Sequence, residues 1–260
     1  MNGTIRFRFS SLIVMLAAYM PFENMVLKFL PVNDSVYGFL RFGSEVVIYF
    51  LFIIMLMTNG LRGRLLLRTP IDRSLLAFLG VALFSMFWNH APIAASLIGL
   101  RDLMRYVFLF YIVANVDFPT ISVKRMIYTL IFIAGVQGML VAYQHFFGID
   151  QIWYPRATTL NIAGHSTTFK LLKDTYQGGR ELGSGIGTFG DTVPMGNFML
   201  YMVAIFAASF CGLLPMKRDT WALFSVFYAL AIFALFCSYS RISVMLGILL
   251  VPLVYALAGR

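Results

Sequence analysis

Residues 236–251 read FCSYSRISVMLGILLV and place one arginine, Arg241, inside an apolar stretch. From Trp221 to Gly259, Arg241 is the only charged side chain, and the rest of this segment has the composition of membrane-spanning helices. An arginine is most stable in water, so one that lies in a membrane needs either the membrane surface or a partner. The stretch therefore predicts a membrane protein in which Arg241 has a particular role.

The whole chain has the composition of a polytopic membrane protein. Of its 260 residues 60% are hydrophobic and only 12% are charged, which excludes the soluble globular class. In a soluble chain, the formal net charge of +9 would indicate binding to nucleic acid. In a membrane protein, the first question is which side of the bilayer carries the positive residues. We expect a lipid bilayer as a partner and no nucleic acid. Two cysteines, Cys211 and Cys237, lie in apolar runs, so neither a disulfide framework nor a metal site is expected.

Apolar segments long enough to cross about 30 Å of hydrocarbon recur along the chain. They cover residues 10–30, 35–58, 74–90, 94–116, 126–147, 194–215, 220–238 and 242–258. The first contains Pro21 and Glu23, and we interpret it as an uncleaved helix rather than a signal peptide. The sequence thus predicts an all-α polytopic membrane protein with about eight transmembrane helices, forming one domain over 1–260.

The basic residues between these segments predict the orientation. With the N-terminus in the cytoplasm, eleven of them lie on the cytoplasmic side: Arg6, Arg8, Arg62, Arg64, Arg68, Arg73, Lys124, Arg125, Lys217, Arg218 and Arg260. The opposite short connections, at 31–34 and 89–92, contain no lysine or arginine. The positive-inside rule therefore predicts that both termini are cytoplasmic. It also places the polar, glycine-rich residues 148–193 in one long external loop, of a length that is usually functional or disordered.

Three arginines lie within predicted spans: Arg41, Arg101 and Arg105. Each costs about 2.5–3.5 kcal/mol to insert at the centre of a membrane helix, so such residues usually face the helix bundle or a wet cavity. A rise of about 1.5 Å per residue places Arg41 and Arg101 roughly 9 Å below the outer ends of their helices. Because Arg101 and Arg105 share one helix face, their charges repel, and an anion between them would remove that repulsion.

Ion pairs within the protein offer an alternative explanation. Glu45 can pair with Arg41 at i,i+4, and Asp102 can pair with Arg105 at i,i+3. Such pairs would satisfy these arginines without any ligand. Arg241 can likewise extend its side chain to the outer membrane interface.

The functional interpretation depends on the sum of these charges. The outer half of the predicted membrane, with its loop, contains Arg41, Arg101, Arg105, Arg241 and Arg180 against only Glu45 and Asp102. Arginine is suited to bidentate recognition of phosphate. An arginine-rich cavity that opens to the outer leaflet therefore indicates a lipid-linked diphosphate as its ligand.

Several segments resemble one family. AYQHFFGID at 142–150, GTFGDTVPMGN at 187–197 and SYSRISVMLGILL at 238–250 resemble, in order and spacing, the O-antigen ligases and polysaccharide polymerases of bacterial inner membranes. LRDLMRYVFLFYIVAN at 100–115 is similar to that family too. The resemblance covers most of the chain, although each motif alone is loose.

The resemblance implies glycosyl transfer at the periplasmic face of the inner membrane. The donor would be an undecaprenyl-diphosphate-linked glycan, and the acceptor lipid A core for a ligase or a lipid-linked repeat unit for a polymerase. The implied mechanism is inverting and needs no metal or cofactor. Arginines would bind the diphosphate and stabilise it as a leaving group. On matching positions, the resemblance assigns this role first to Arg241 and then to Arg101 and Arg105.

The chain also departs from the family. Arg180 lies seven residues before Gly187, whereas the family has an arginine just before its G-T-F element, and Asn197 follows Pro194 by three residues instead of directly. Family members continue through further helices and a larger external loop, which carries another arginine and the histidine that activates the acceptor. Because this sequence stops at Arg260, the resemblance implies either a truncated form or chemistry supplied elsewhere.

The three histidines provide one candidate base. His165 lies in the external loop and could act as a general base, although a lone loop histidine is more often a solvated bystander. His145 is predicted at the membrane interface and His90 in a surface loop. GSGIGTFG is not a P-loop, because it lacks the lysine and the serine or threonine that would follow. Its glycines instead predict that the backbone passes close to a ligand or to a neighbouring helix.

Three functions remain open from the sequence. The first is a glycosyltransferase of surface polysaccharide biosynthesis. The second is a transporter of an anionic solute, which predicts inverted repeats and broken helices near the membrane midplane; no repeat is found in the sequence. The third is a catalytically incomplete membrane fragment, whose arginines only pair with acidic residues.

Overall fold

A computed structural model describes most of the chain. The described residues are 3–33, 36–37, 40, 42–61, 63, 66–89, 93–116, 118–148, 159–162, 165–168, 185–212 and 221–258. Side chains are described for most of these, but not for residues 3–9, for several between 93 and 103, or for the two strands.

Helices dominate the described chain. In order they are α1 (Gly3–Tyr19), a 3₁₀ turn (Met20–Phe22), α2 (Glu23–Phe29), α3 (Gly43–Gly60), α4 (Asp72–Trp88), α5 (Ile93–Asn115), α6 (Thr120–Phe147), α7 (Thr192–Phe210), α8 (Trp221–Cys237) and α9 (Arg241–Ala258). Each predicted span corresponds to one of these helices, with α1 and α2 together forming the first. That helix breaks at Pro21, as expected for a residue that lacks a backbone N–H.

The helices have the length and composition of membrane spans. Four of them are long and apolar enough to cross a bilayer: Ser10–Phe29, Gly43–Gly60, Thr120–Phe147 and Thr192–Phe210. Shorter apolar helices cover Met104–Asn115, Trp221–Cys237 and Arg241–Leu257. The chain is therefore a helical protein of the membrane type.

One two-stranded hairpin lies in the region predicted as the external loop. Its strands, β1 (Thr159–Ile162) and β2 (His165–Thr168), are antiparallel, with Thr159 opposite Thr168 and Ile162 opposite His165. Threonine and isoleucine favour strands because their branched side chains fit an extended backbone. The all-α prediction thus holds for the spans and misses this hairpin.

The contacts divide the chain into two compact units. The first comprises Met1–Arg8, Asp34–Pro119 and Thr158–Thr168, and the second comprises Phe9–Asn33, Thr120–Ala157 and Phe169–Arg260. The single domain predicted over 1–260 stays a prediction.

In the first unit, α3 packs against α5. The ring of Phe108 meets Tyr49 edge-on at 5.5 Å and Phe52 at 4.5 Å. The connection before α4 is attached to the end of α5, because the Leu67 backbone donates to the Asn115 side chain at 2.6 Å. These contacts hold α3 and α5 side by side.

In the second unit, α8 packs on α6 and α7, and α9 packs on α7. A Cβ atom at Gly135 would lie 2.6 Å from the Phe227 ring, and one at Gly138 would lie 2.9 Å from Leu230 Cβ. Glycine at these two positions of α6 therefore lets α8 approach it closely. The segment 185–190, GIGTFG, leads into α7 and is called the glycine loop below.

Candidate functional site

Two buried glutamines of α6 hold the glycine loop. Gln144 Oε1 accepts hydrogen bonds from the backbone N–H groups of Ile186 and Gly187, both at 2.9 Å, and its Nε2 donates to the Gly187 carbonyl at 3.1 Å. Gln137 Oε1 accepts from the Thr188 backbone at 3.0 Å, and its Nε2 donates to the Thr188 hydroxyl. Irregular backbone inside an apolar bundle requires such partners. The glutamines supply them in place of regular secondary structure.

The first span holds the other side of the glycine loop. The Thr188 hydroxyl donates to the carbonyl of Pro21, and Asn24 Nδ2 donates to the carbonyl of Phe189 at 2.8 Å. Both contacts come from the region where the first span breaks. The loop is therefore bound on one side by α6 and on the other by the break in the first span.

Gly185 and Gly187 of this loop both lie too close to neighbouring side chains for a Cβ atom. Gly187 has a φ of +55°, and a Cβ atom there would lie 2.5 Å from Gln137 Oε1 and 2.9 Å from Met195 Sδ. A Cβ at Gly185 would overlap Val141 of α6. The prediction that these glycines allow close approach is thus confirmed for the neighbouring helix.

The turn between α8 and α9 packs on the start of α7. A Cβ atom at Gly196 would lie 2.7 Å from both Ser238 Oγ and Ser240 Cβ. Ser243 Oγ donates to Asn197 Oδ1 at 2.8 Å, and its oxygen is 2.7 Å from that of Ser240. The three serines are buried and hydrogen-bonded within the protein. They attach the start of α9 to the start of α7.

Arg241 is the first residue of α9, and its side chain is exposed. Tyr239, two residues before it, has a φ of +50°, which is unusual for a residue other than glycine. Arg241 thus follows the turn between α8 and α9, as predicted, and its place at the outer membrane face stays a prediction. A positive side chain at the first turn of a helix opposes the helix dipole. A bound anion would be stabilised there by both the guanidinium group and the helix terminus.

The first unit contains the other described arginines of the predicted site. Arg101 Nε lies 3.2 Å from Glu45 Oε2, and Arg105 Nη1 lies 3.8 Å from Glu45 Oε1. The Arg101 guanidinium also lies 4.6 Å from the ring centre of Phe42. The Glu45 carboxylate thus contacts both arginines. It takes the place of the bound anion that their shared helix face had predicted.

Arg105 has unused capacity to donate hydrogen bonds. Its Nη2 donates to the hydroxyl of Tyr106 at 3.1 Å, but its buried Nε has no hydrogen-bond partner in the described part of the chain. The contact with Glu45, at 3.8 Å, is longer than a hydrogen bond. The Glu45 carboxylate therefore contacts both guanidinium groups, and its contact with Arg101 is the shorter of the two.

Two of the predicted diphosphate-binding residues, Arg41 and Arg180, lie outside the described residues. His165 begins β2, and nothing is described of its side chain. The predicted pair of Glu45 with Arg41 stays a prediction, because Arg41 lies outside the described residues. Glu45 contacts Arg101 and Arg105 of α5, which were not predicted as its partners. The pair of Arg105 with Asp102 stays a prediction, because the Asp102 side chain is not described.

His145 contacts the end of α8. Its Nδ1 lies 3.5 Å from Cys237 Sγ, and its ring meets that of Phe233 edge-on at 5.4 Å. The two described cysteines are free thiols. Among the described residues, no group of three or more histidine, cysteine or acidic side chains could hold a metal ion.

The two glutamines were not among the residues predicted for the site. Gln137 and Gln144 are seven residues apart, so they lie on one face of α6, two turns from each other. Two amides on one face of an apolar helix indicate a polar partner between helices. That signal was available, but it does not identify a loop distant in sequence as the partner.

Comparisons of the chain with protein-family models, with curated proteins and with solved structures give no match. The resemblance to ligases and polymerases therefore depends on the motifs quoted above.

Proposed function

We propose that this protein is a membrane glycosyltransferase of surface polysaccharide biosynthesis in the bacterial inner membrane. It transfers or polymerises glycans from an undecaprenyl-diphosphate carrier at the periplasmic face. The acceptor is lipid A core or another glycan. Arginine side chains bind the diphosphate, and no metal or cofactor takes part.

The observation that carries this proposal is the cluster of Arg101, Arg105 and Glu45. Two guanidinium groups contact one buried carboxylate within predicted membrane spans. Charged side chains in membrane spans are expensive and usually mark a functional site. The partnerless Nε of Arg105 adds a donor suited to a phosphate oxygen.

A second support comes from Arg241 at the start of α9. Its exposed side chain and the N–H groups of the first helical turn both favour an anion. This agrees with the role that the resemblance implies for the arginine of SYSR. Arg241, Arg101 and Arg105 are therefore the proposed diphosphate ligands, together with Arg41 and Arg180 from the sequence analysis.

The proposed topology has eight spans, with both termini in the cytoplasm. The order of the helices supports it, because α1–α2 and the seven helices α3 to α9 each correspond to one predicted span. In this topology α7 and α9 both begin at the periplasmic face. The glycine loop and Arg241 then lie on the side where the carrier lipid presents its glycan.

Alanine replacement in the native host tests the function. Arg101→Ala and Arg241→Ala, made singly, should abolish or strongly reduce long-chain surface glycan, because each removes a charge-assisted contact to the diphosphate. Arg73→Ala is the matched control, since Arg73 is an exposed arginine at the predicted cytoplasmic end of α4. Normal glycan in both test variants, at normal protein levels, would contradict the proposal.

A transporter of an anionic solute is a second candidate, favoured by one observation. The first span breaks into α1, a 3₁₀ turn and α2, and transporters often bind their substrates at broken helices. Reconstituted protein separates the two functions. A transporter moves its anionic solute across the vesicle membrane, whereas a glycosyltransferase makes longer glycan without net transport.

A further inference from the structure

The turn between α8 and α9 contains a tyrosine in a backbone conformation that suits glycine. Tyr239 has a φ of +50°, and among the residues that the structure describes it alone has a positive φ without being glycine. It lies two residues after Cys237, the last residue of α8, and its backbone N–H donates to the carbonyl of Phe236 at 3.2 Å. Helices often end with one residue in this left-handed conformation, and that residue is usually glycine or asparagine.

The end of α7 shows the usual solution. Gly212 lies two residues after Phe210, the last residue of α7, and has a φ of +75°. Its N–H donates to the carbonyl of Ser209, three positions before it, at 3.0 Å, so the geometry matches that of Tyr239. Glycine adopts this conformation without strain because it has no Cβ atom. Tyrosine at 239 therefore makes the fold less stable than glycine would, and the turn alone does not explain it.

Packing does not explain this tyrosine either. Tyr239 is 59% exposed, whereas the serines on either side, Ser238 and Ser240, are buried. The turn is attached to the start of α7 through Gly196 and Asn197, so its backbone is held without the tyrosine ring. Strained residues persist where the surrounding structure fixes them, and they cluster at active sites and ligand-binding sites. The fold thus keeps an exposed tyrosine at this turn at an energetic cost.

Tyr239 is close in the chain to Arg241, one of the proposed diphosphate ligands. Two peptide units separate them, so their Cα atoms are at most about 7 Å apart. Both residues are exposed, and both belong to the second unit. A phenol hydroxyl donates hydrogen bonds, and phosphate oxygens accept them strongly because they are charged. A diphosphate that binds Arg241 can therefore receive a second hydrogen bond from the same turn.

We propose that Tyr239 binds the diphosphate of the carrier lipid beside Arg241, by donating a hydrogen bond from its phenol hydroxyl. This inference rests on the proposed function, in which Arg241 binds that diphosphate. It adds an uncharged donor to a site otherwise assigned to arginines. It also explains the backbone, because glycine at this position would relieve the strain but would remove the hydroxyl.

The test measures binding of undecaprenyl diphosphate to the full chain in lipid nanodiscs. Tyr239→Phe keeps the ring and the backbone strain but removes the hydroxyl, so the Kd should rise about tenfold, as expected for a hydrogen bond to a charged group. Tyr201→Phe is the matched control, since Tyr201 is similarly exposed, at 63%, in the same unit, but lies inside α7. The Kd of the control should equal that of the wild type.

A second variant tests the strain itself. Tyr239→Gly should unfold at the same temperature as the wild type or a higher one, because glycine adopts a positive φ freely. Its Kd should rise at least as far as that of Tyr239→Phe, so stability and binding would not fall together. A tyrosine that only anchors the chain at the membrane surface predicts the reverse. In that case Tyr239→Gly would lower the unfolding temperature and Tyr239→Phe would leave the Kd unchanged, and either result would overturn the proposal.

The outcomes separate this inference from the function on which it rests. A wild type that binds undecaprenyl diphosphate, with a Tyr239→Phe variant that binds it equally well, would overturn the role of Tyr239 alone. Weaker binding together with a lower unfolding temperature in that variant would do the same, because it indicates a structural role. A wild type that does not bind undecaprenyl diphosphate would overturn this inference. If that wild type also transfers no glycan to either class of acceptor, the proposed function is refuted with it.

Discussion

At the scale of single residues, the two buried glutamines of α6 bind backbone groups of the glycine loop. Gln144 satisfies three backbone groups of the glycine loop with one amide. Each buried backbone group left without a partner costs about 1–3 kcal/mol. The position of the loop is therefore determined by two side chains and by glycines that leave room for them.

Replacing Gly187 with alanine should destabilise the second unit more than the same change at Gly212. Both residues have positive φ, +55° and +75°, so both variants bear the backbone strain of about 1–2 kcal/mol. Among the described residues, only the Cβ added at Gly187 meets other atoms, since none of them lies within 4 Å of a Cβ added at Gly212. Overpacking should add about 1–3 kcal/mol. Unfolding of both variants in detergent measures the difference, and equal losses would refute the close approach.

At the scale of elements, α6 and α8 pack through glycines on α6. The contact at Gly138 includes the backbone of Leu230, whose carbonyl oxygen would lie 3.1 Å from an added Cβ. A backbone contact cannot move aside as the end of a side chain can. The distance between these two helices is therefore limited by the absence of a side chain.

Gly138→Ala should lower the stability of the chain by about 1–3 kcal/mol, because the added methyl group forces α6 and α8 apart. Gly80→Ala is the matched control. Gly80 is also inside a helix, α4, but no atom in the described part of the chain lies within 4 Å of its added Cβ. The control should be neutral or slightly stabilising, since alanine favours helix over glycine. Denaturation of both variants provides the comparison, and a harmless Gly138→Ala would contradict the packing described.

Asp72, at the start of α4, should make the stability of the protein depend on pH. Hydrogen bonds from the side chain and backbone of Thr69, and then from Tyr111, hold the pKa of Asp72 below its ordinary value. A carboxylate whose folded pKa is lowered contributes stability above its unfolded pKa, about 3.9, and loses it as the pH falls through the folded value. Wild type should therefore exceed Asp72→Asn in stability at neutral pH, and the two should converge in acid. Parallel stability curves between pH 7 and pH 3 would contradict this role of Asp72.

At the scale of the whole molecule, the charge pattern and the order of the helices predict the membrane topology. The predicted orientation places Asn33 outside and Arg68 inside, and both residues are exposed. In a variant without Cys211 and Cys237, a cysteine at Asn33 should react with an impermeant maleimide in spheroplasts. A cysteine at Arg68 should react only after the membrane is opened. The reverse pattern would overturn the orientation.

The positions of the helices could largely be predicted from the sequence. Apolar runs of span length require helices in a membrane, since the backbone must be hydrogen-bonded internally. In the second predicted span, 35–58, α3 begins at Gly43, and the described residues 36, 37 and 40 before it are also helical. Apolar composition continues through a turn at Phe42, so composition alone does not mark where the helix begins.

The candidate site could be predicted only in part. The sequence identified Arg101 and Arg105 as a pair and Arg241 as a hairpin residue, because spacing and span limits are local properties. The pair of Glu45 with Arg41 stays a prediction, and spacing can indicate only such partners on the same stretch of helix. The described partners of Glu45 lie on α5, more than fifty positions along the chain.

The sequence by itself determined the helical membrane class, the approximate spans and the asymmetry of charge. These follow from transfer of side chains between water and lipid, which depends on composition along short windows. Only the tertiary structure decided that Gln137 and Gln144 bind the glycine loop and that Glu45 contacts two arginines. Such pairings depend on which distant segments pack together, and a single sequence contains no local signal for that choice.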